Sequence, residues 1–296
     1  RLPGSISGMP NNLKTDALMG LLGGLFVAVG YALGGPSSAL VALGFAALLN
    51  FAMYFFSDRL ALAAARAKPV EELELPDVYS IVRSLAQREN MPMPRIYLIE
   101  SPQPNAFATG RNPKHAAVAV TRGILDMMDF AELEGVLAHE LAHVRNRDIL
   151  ISSIAATIGA ALSFLARFAF WGGMGRRRDN DAVSAIVGLV AIILAPLAAM
   201  IVQMAISRSR EFQADRSGAE ITGAPLALAS ALAKLDRGTS RIPMDVNPAV
   251  GQLFIADPMK ALGGRGGGGG LRRMFSTHPP VEERIERLND MAMGIR

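Results

Sequence analysis

Cysteine is absent from this 296-residue chain, which excludes disulfides and thiolate metal ligands. Any metal must therefore be held by histidines and carboxylates. Histidine is itself scarce, at four: His115, His139, His143 and His278. Charge is thin as well, at 19% against 51% apolar residues, and mean hydropathy is +0.29. The apolar excess is gathered into a few long runs, which points to membrane spans rather than to a larger soluble core. Aromatics make up only 6% and do not interleave with the basic residues, which instead flank apolar runs. The formal charge of +4 and the pI near 9.7 therefore do not mark a nucleic-acid binder.

What is present is organised by four apolar stretches. The chain divides into a tail at 1–16, a transmembrane hairpin at 17–56, a polar segment at 57–148, a second hairpin at 149–206 and a polar segment at 207–296. Arg1–Gly8 lacks an initiator Met and reads as an expression scar. The first pair of stretches, Ala17 to Leu33 and Ser38 to Phe56, is separated only by Gly34-Gly35-Pro36-Ser37. Each is near the length that crosses ~30 Å of hydrocarbon. Asn50 is the one strongly polar side chain inside, suited to hydrogen-bonding a neighbouring helix. The third run spans Ile149 to Trp171, and the fourth, Ala182 to Ile206, contains Pro196.

In the polar segments, Pro76 opens a helix. Strands are expected at Arg95–Glu100 and His115–Thr121, with turn chemistry in the PNAFATGRNPK between them. Asp129, three residues before Glu132, marks the start of a helix expected to run on towards lipid at Ile149. Further helices are expected at Ser207–Thr222, Pro225–Leu235 and Pro280–Met291. Gly263–Gly270 reads as a flexible linker.

His139-Glu140-Leu141-Ala142-His143 carries the chemistry. Residues four apart on a helix share a face, so both histidines can bind one ion, with Glu140 beside it as general base. A catalytic zinc takes three protein ligands and leaves one position for water. The third ligand comes from His278, His115, Asp148 or Glu211. Packing prefers Glu211: if the third and fourth runs form an antiparallel hairpin, His143 and Glu211 emerge on one membrane face. Asp215, one turn beyond, would accept the free N–H of a ligand histidine. The plain alternative pairs Glu211 and Asp215 with Arg208, Arg210 or Arg216 on a solvated helix, and spacing alone leaves the two readings level.

HELAH, then two apolar runs, then Ser-Arg-Ser-Arg-Glu-Phe-Gln-Ala-Asp, resembles the HtpX-like membrane metallopeptidases, relatives of the CAAX prenyl endopeptidases. The likeness spans nearly the whole chain. It implies His139, His143 and Glu211 as zinc ligands, with Asp215 supporting them. It also implies His278, in Ser-Thr-His-Pro-Pro, as stabiliser of the oxyanion, and Asn105-Ala106 as part of the substrate cleft. The implied fold is a mainly α membrane protein, with four hydrophobic helices and a zincin-like α+β catalytic domain holding a small sheet. The implied enzyme is a zinc endopeptidase of the bacterial cytoplasmic membrane that degrades misfolded or damaged membrane proteins. Its partners are then protein substrates and the lipid bilayer, and oligomeric state is not legible.

Topology follows from charge. Residues 57–148 hold eleven Lys and Arg, the tail after Ile206 holds thirteen, and the loop between the first two runs holds none, which places both polar segments in the cytosol. Arg176-Arg177-Arg178 is discordant with a second hairpin that crosses fully. Rival readings are a processing peptidase of the prenyl-protein type, a membrane scaffold with a structural metal, and a transporter. An intact Glu140 argues against the scaffold, because structural zinc needs no base. The lack of ionisable residues at mid-membrane argues against the transporter.

Overall fold

Small apolar side chains at alternating positions build the centre of the molecule. The structure is a computed structural model and describes residues 11–150, 152–154, 208–244, 246, 248–261 and 279–295. Its sheet has four strands: β1 (Lys68–Pro69), β2 (Arg95–Ile99), β3 (Ala106–Gly110) and β4 (Ala116–Thr121). Their order is β1-β2-β4-β3. β2 and β4 are parallel, with Leu98 opposite Val120, while β3 is antiparallel to β4, with Ala108 opposite Val118.

Side chains alternate across β4 with the period of two that a strand imposes. Val118 and Val120 face one core, with Val82, Leu85, Val136, Leu137, Leu228 and Leu232. Ala117 and Ala119 face a second, with Ala61, Leu62, Phe107 and Phe254. Because both faces are covered, β3 and β4 are buried along their whole length. Burial alone does not conceal a strand, since β4 was legible from the valines of AAVAVT. AFATG has only Thr109 as a β-branched residue and ends in Gly110, so it reads as turn chemistry, and the structure corrects that reading to a strand.

Helices α2 (Pro76–Arg88), α3 (Arg122–Met127), α4 (Phe130–Arg145), α5 (Arg208–Thr222), α6 (Pro225–Arg241), α7 (Pro248–Gly251) and α8 (Val281–Ala292) surround the sheet. α2 and α6 begin with proline in the first turn, where its missing N–H costs nothing. α4 begins with a capping box: Asp129 accepts from the Glu132 N–H at 2.9 Å, and Glu132 accepts from the Asp129 N–H at 3.1 Å. α6 runs six residues past the expected Leu235.

α4 does not run on into the third apolar stretch. It ends at Arg145, capped by Asn146, and Arg147 takes a left-handed conformation with φ 58°. Residues 148–150 and 152–154 are helical again beyond this break. The turn matters for the site, because it swings Asp148 back towards the end of α4. The rest of the expected second hairpin, and the glycine run at 263–270, lie outside the described residues.

α1 (Asn11–Ala64) is one helical element of 54 residues that folds back on itself. In a straight helix Met19 and Asn50 would stand about 46 Å apart. Instead the Asn50 Nδ2 donates to the Met19 carbonyl at 3.1 Å, and the Phe26 and Phe45 rings meet at 5.4 Å. The reversal falls at Gly35, with φ 68°, a conformation that glycine adopts without strain. The 30-residue arm Gly35–Ala64 is long and apolar enough to cross a membrane. Its last turns, with Ala65 just beyond, bury Ala61 and Leu62 against the sheet face opposite α4, and Asp58 pairs with Arg95 at 2.8 Å.

Candidate metal centre

α4 and α5 cross closely enough for the backbone of one to touch the other. A Cβ at Gly218 would lie 2.9 Å from the His139 backbone nitrogen, so glycine there permits the approach. Glu211 and Asp215 lie on the same side of α5, seven and three residues before Gly218, and are thereby delivered to the histidines of α4.

Ligand atoms of His139, His143 and Glu211 lie within 4.8 Å of one another. His139 Nε2 is 3.8 Å from Glu211 Oε2, and His143 Nε2 is 3.5 Å from Glu211 Oε1. Both rings are oriented from behind by carboxylates. Asp215 Oδ1 sits 2.9 Å from His139 Nδ1, and Asp148 Oδ2 sits 3.0 Å from His143 Nδ1. A carboxylate on Nδ1 fixes the tautomer that leaves Nε2 free to bind a metal. His139 Nε2 is buried and has no hydrogen-bond partner among the described residues. An ion would supply the partner that this nitrogen lacks.

The charges agree. Four carboxylates (Glu140, Asp148, Glu211 and Asp215) surround the point of convergence, against the guanidinium groups of Arg210 and Arg284 among the described residues. With all four carboxylates ionised and both rings neutral, as metal ligation requires, a divalent cation closes that difference of two. The donor set of two imidazoles and a carboxylate suits a transition metal such as zinc.

Glu140 is 2% exposed, and its Oε2 accepts from the Ala108 N–H on β3 at 2.7 Å. Burial pushes its carboxyl up to about 8; the His143 charge opposes this and the Glu211 charge adds to it. For His143, burial lowers the pKa, but the Asp148 hydrogen bond and the charges of Glu211, Asp148 and Glu140 outweigh it and raise the ring to about 9. Asp215 is raised by burial yet held down at about 2 by Arg284 and His139. Burial lowers the pKa of His139 despite Asp215. The cleft above these groups is also lined by Ala108, Arg210 and Phe254, with a free volume of about 40 Å³. That is several times the ~10–15 Å³ that one water needs.

The expected residues fare differently. The structure brings His139, Glu140, His143, Glu211 and Asp215 together. His115 is exposed on a 3₁₀ turn, bonded to Asn112 at 2.9 Å, and takes no part. Asp148 stands behind His143 and not at the point of convergence. His278 lies outside the described residues. Asn105 and Ala106, expected in the substrate cleft, are both fully buried and engaged within the chain. The Asn105 Nδ2 donates to the Ala256 carbonyl at 2.8 Å, and the Ala106 carbonyl accepts from the Ile255 N–H at 2.9 Å. The strand edge is thus paired intramolecularly at this point.

Arg284 was missed. It is fully buried and grips Asp215 with Nε at 2.8 Å and Nη2 at 2.6 Å. A signal was there to be read. Val281, Arg284, Ile285 and Leu288 fall at helical spacing, so a lone arginine stands in the apolar stripe of α8.

Two histidines one helical turn apart, a glutamate beside them and a second glutamate from another helix make up the catalytic centre of a metallopeptidase. Residues 72–292 match Peptidase family M48, and the chain belongs to that family: it is a metalloprotease. It is 48% identical over 287 residues to a Protease HtpX homolog of Pelotomaculum thermopropionicum, covering 96% of this chain and 100% of that one. It is 50% identical over 287 residues to a Protease HtpX homolog of Burkholderia mallei, covering 96% and 98%. A crystal structure of Ste24p from S. mikatae superposes with a TM-score of 0.49 at 17% identity, over 94% of this chain and 65% of that one.

Proposed function

We propose that this protein is an integral-membrane zinc endopeptidase that cleaves misfolded or damaged membrane proteins at the cytosolic face. His139, His143 and Glu211 hold the zinc, Asp215 supports His139, and Glu140 is the general base. The observation that carries this reading is the convergence of both Nε2 atoms on Glu211, with Glu140 beside them. The ion, when bound, would polarise the scissile carbonyl and acidify a water.

The protein's own groups do the rest. Glu140 accepts a proton from the attacking water and returns it to the leaving amine. The Ala108 N–H holds that carboxylate in place by its Oε2, leaving the other oxygen for the proton. Asp148 and Asp215 keep the two rings aimed. The edge of β3 at Ala108, which opens on the cleft, is the stretch assigned to pairing with an extended substrate. His278 is assigned the oxyanion on the strength of its Ser-Thr-His-Pro-Pro context.

Membrane substrates are supported by how α1 meets the domain. The arm that can cross a bilayer packs its last turns directly on the sheet, an arrangement that would hold the centre near a lipid surface. The cytosolic placement and the multi-pass inner-membrane location rest on the charge of the polar segments. The deciding experiment compares wild type with Glu140→Gln for zinc content and for cleavage of an unfolded membrane protein in detergent. Retained zinc with lost cleavage is expected. A Glu140→Gln protein that still hydrolyses peptides would overturn the assignment.

A further inference from the structure

We infer that Arg284 is a positioning residue of the metal centre, acting on His139 through Asp215. The inference rests on the reading of His139, His143 and Glu211 as metal ligands.

Each histidine is backed by a carboxylate, and each carboxylate by an arginine. On one side stand His139, Asp215 and Arg284; on the other stand His143, Asp148 and Arg210. The two arrangements differ in quality. Arg210 Nη1 stands 3.5 Å from Asp148 Oδ1. Arg284 meets Asp215 side-on, with Nε on Oδ2 and Nη2 on Oδ1, and has no exposed side-chain surface. A planar fork on both oxygens fixes the plane of the carboxylate as well as its distance. That matters because the same Oδ1 also faces His139 Nδ1 at 2.9 Å. A carboxylate free to rotate would let the ring turn and its tautomer change.

Helix packing alone does not explain an arginine here. Val281, Ile285 and Leu288 show what the rest of that stripe uses, and burying a guanidinium is costly unless its charge is met. Arg284 does more than meet one charge. Its Nη1 donates to the Ile255 carbonyl at 3.3 Å and stands 4.0 Å from Glu211 Oε2. It therefore ties the last helix, the segment beside β3 and two acids of α5 to one point. The alignment of His139 depends on a residue 145 positions away in the chain.

The test uses the full chain in detergent, with zinc affinity read by chelator competition and ligand geometry by the absorption spectrum of the cobalt-loaded protein. Arg284→Lys keeps a charge but not the fork. It is expected to lower metal affinity about 10-fold and to shift the cobalt spectrum, with the thermal midpoint of the metal-free protein nearly unchanged. Asp215→Asn, alone and combined with Arg284→Met, completes a cycle that stays informative if Arg284→Met alone fails to fold. Because Arg284 acts through Asp215, the double variant should bind metal as Asp215→Asn does. Additive losses would overturn the inference, as would an Arg284→Lys protein with wild-type affinity and spectrum. A wild-type chain that binds neither metal would instead sink the metal reading itself.

Discussion

α4 carries two buried glutamates eight residues apart, and they are treated in opposite ways. Glu132, near the start, is saturated with donors. Its Oε1 accepts from the Ser230 hydroxyl at 2.7 Å, and its Oε2 accepts from Lys234 at 2.5 Å and from the Asp129 N–H at 3.1 Å. Burial raises its carboxyl, but Lys234, Ser230 and the backbone outweigh that, and the net shift is downward. Glu140 has one backbone donor and sits among other acids, and its carboxyl is pushed up to about 8. One helix thus holds a carboxylate locked as an anion and another poised to take a proton. Burial is common to both; the number of donors that the fold supplies separates structural from chemical.

Three variants and one pH series sharpen or break this comparison. The largest effect is expected from Glu140→Gln, which should reduce peptide cleavage by about 10²–10⁴-fold with zinc retained, measured by metal content and initial rates. Gly218→Ala comes next. Its Cβ must push against the His139 backbone, so about 1–3 kcal/mol of stability should be lost and metal affinity should fall. The Glu132 end should be spared, which unfolding midpoints with and without metal would reveal.

Glu132→Gln should cost about 1–3 kcal/mol in unfolding experiments while leaving metal affinity and cleavage by the folded protein unchanged. A loss of metal would mean that the two ends of α4 are not independent. The smallest effect is a matter of pH. The folded pKa of Glu132 is depressed below 4.5, so its contribution is full above that value and is lost as pH falls through the folded pKa. The stability gap between wild type and Glu132→Gln should therefore close in acid, below about pH 4.5. A gap constant down to pH 3 would show that the charge on Glu132 contributes nothing.

The same contrast governs what could be read from the residues. Asp129 and Glu132 announce a helix start because a capping box is local, three residues across. HELAH announces a metal because i and i+4 share a face whatever the rest of the chain does. Glu211 and Asp215 were harder, since an acid beside Arg208, Arg210 and Arg216 looks equally like a solvated helix. Only the approach of α5 at Gly218 turns them inward. β3 was invisible because AFATG has one β-branched residue and ends in glycine, whereas β4, buried just as completely, shows itself by its valines. Asn105 and Ala106 looked available at a strand edge, but residues 255 and 256, far along the chain, occupy it.

By itself, then, the sequence determined the metal-binding pair and its base, the starts of the helices and the long apolar runs, all features set within a few residues by helical geometry or by composition. The tertiary structure alone decided which carboxylates stand behind the two rings, that α4 breaks after Arg145 so that Asp148 can turn back, and that Arg284 on the last helix closes on Asp215. Asp148 is only five residues from His143 and is brought back by the turn at Arg147, but the contacts of Asp215 and Arg284 join segments tens to more than a hundred residues apart. No local propensity encodes them, because they exist only where two helices pack closely enough for one side chain to reach another.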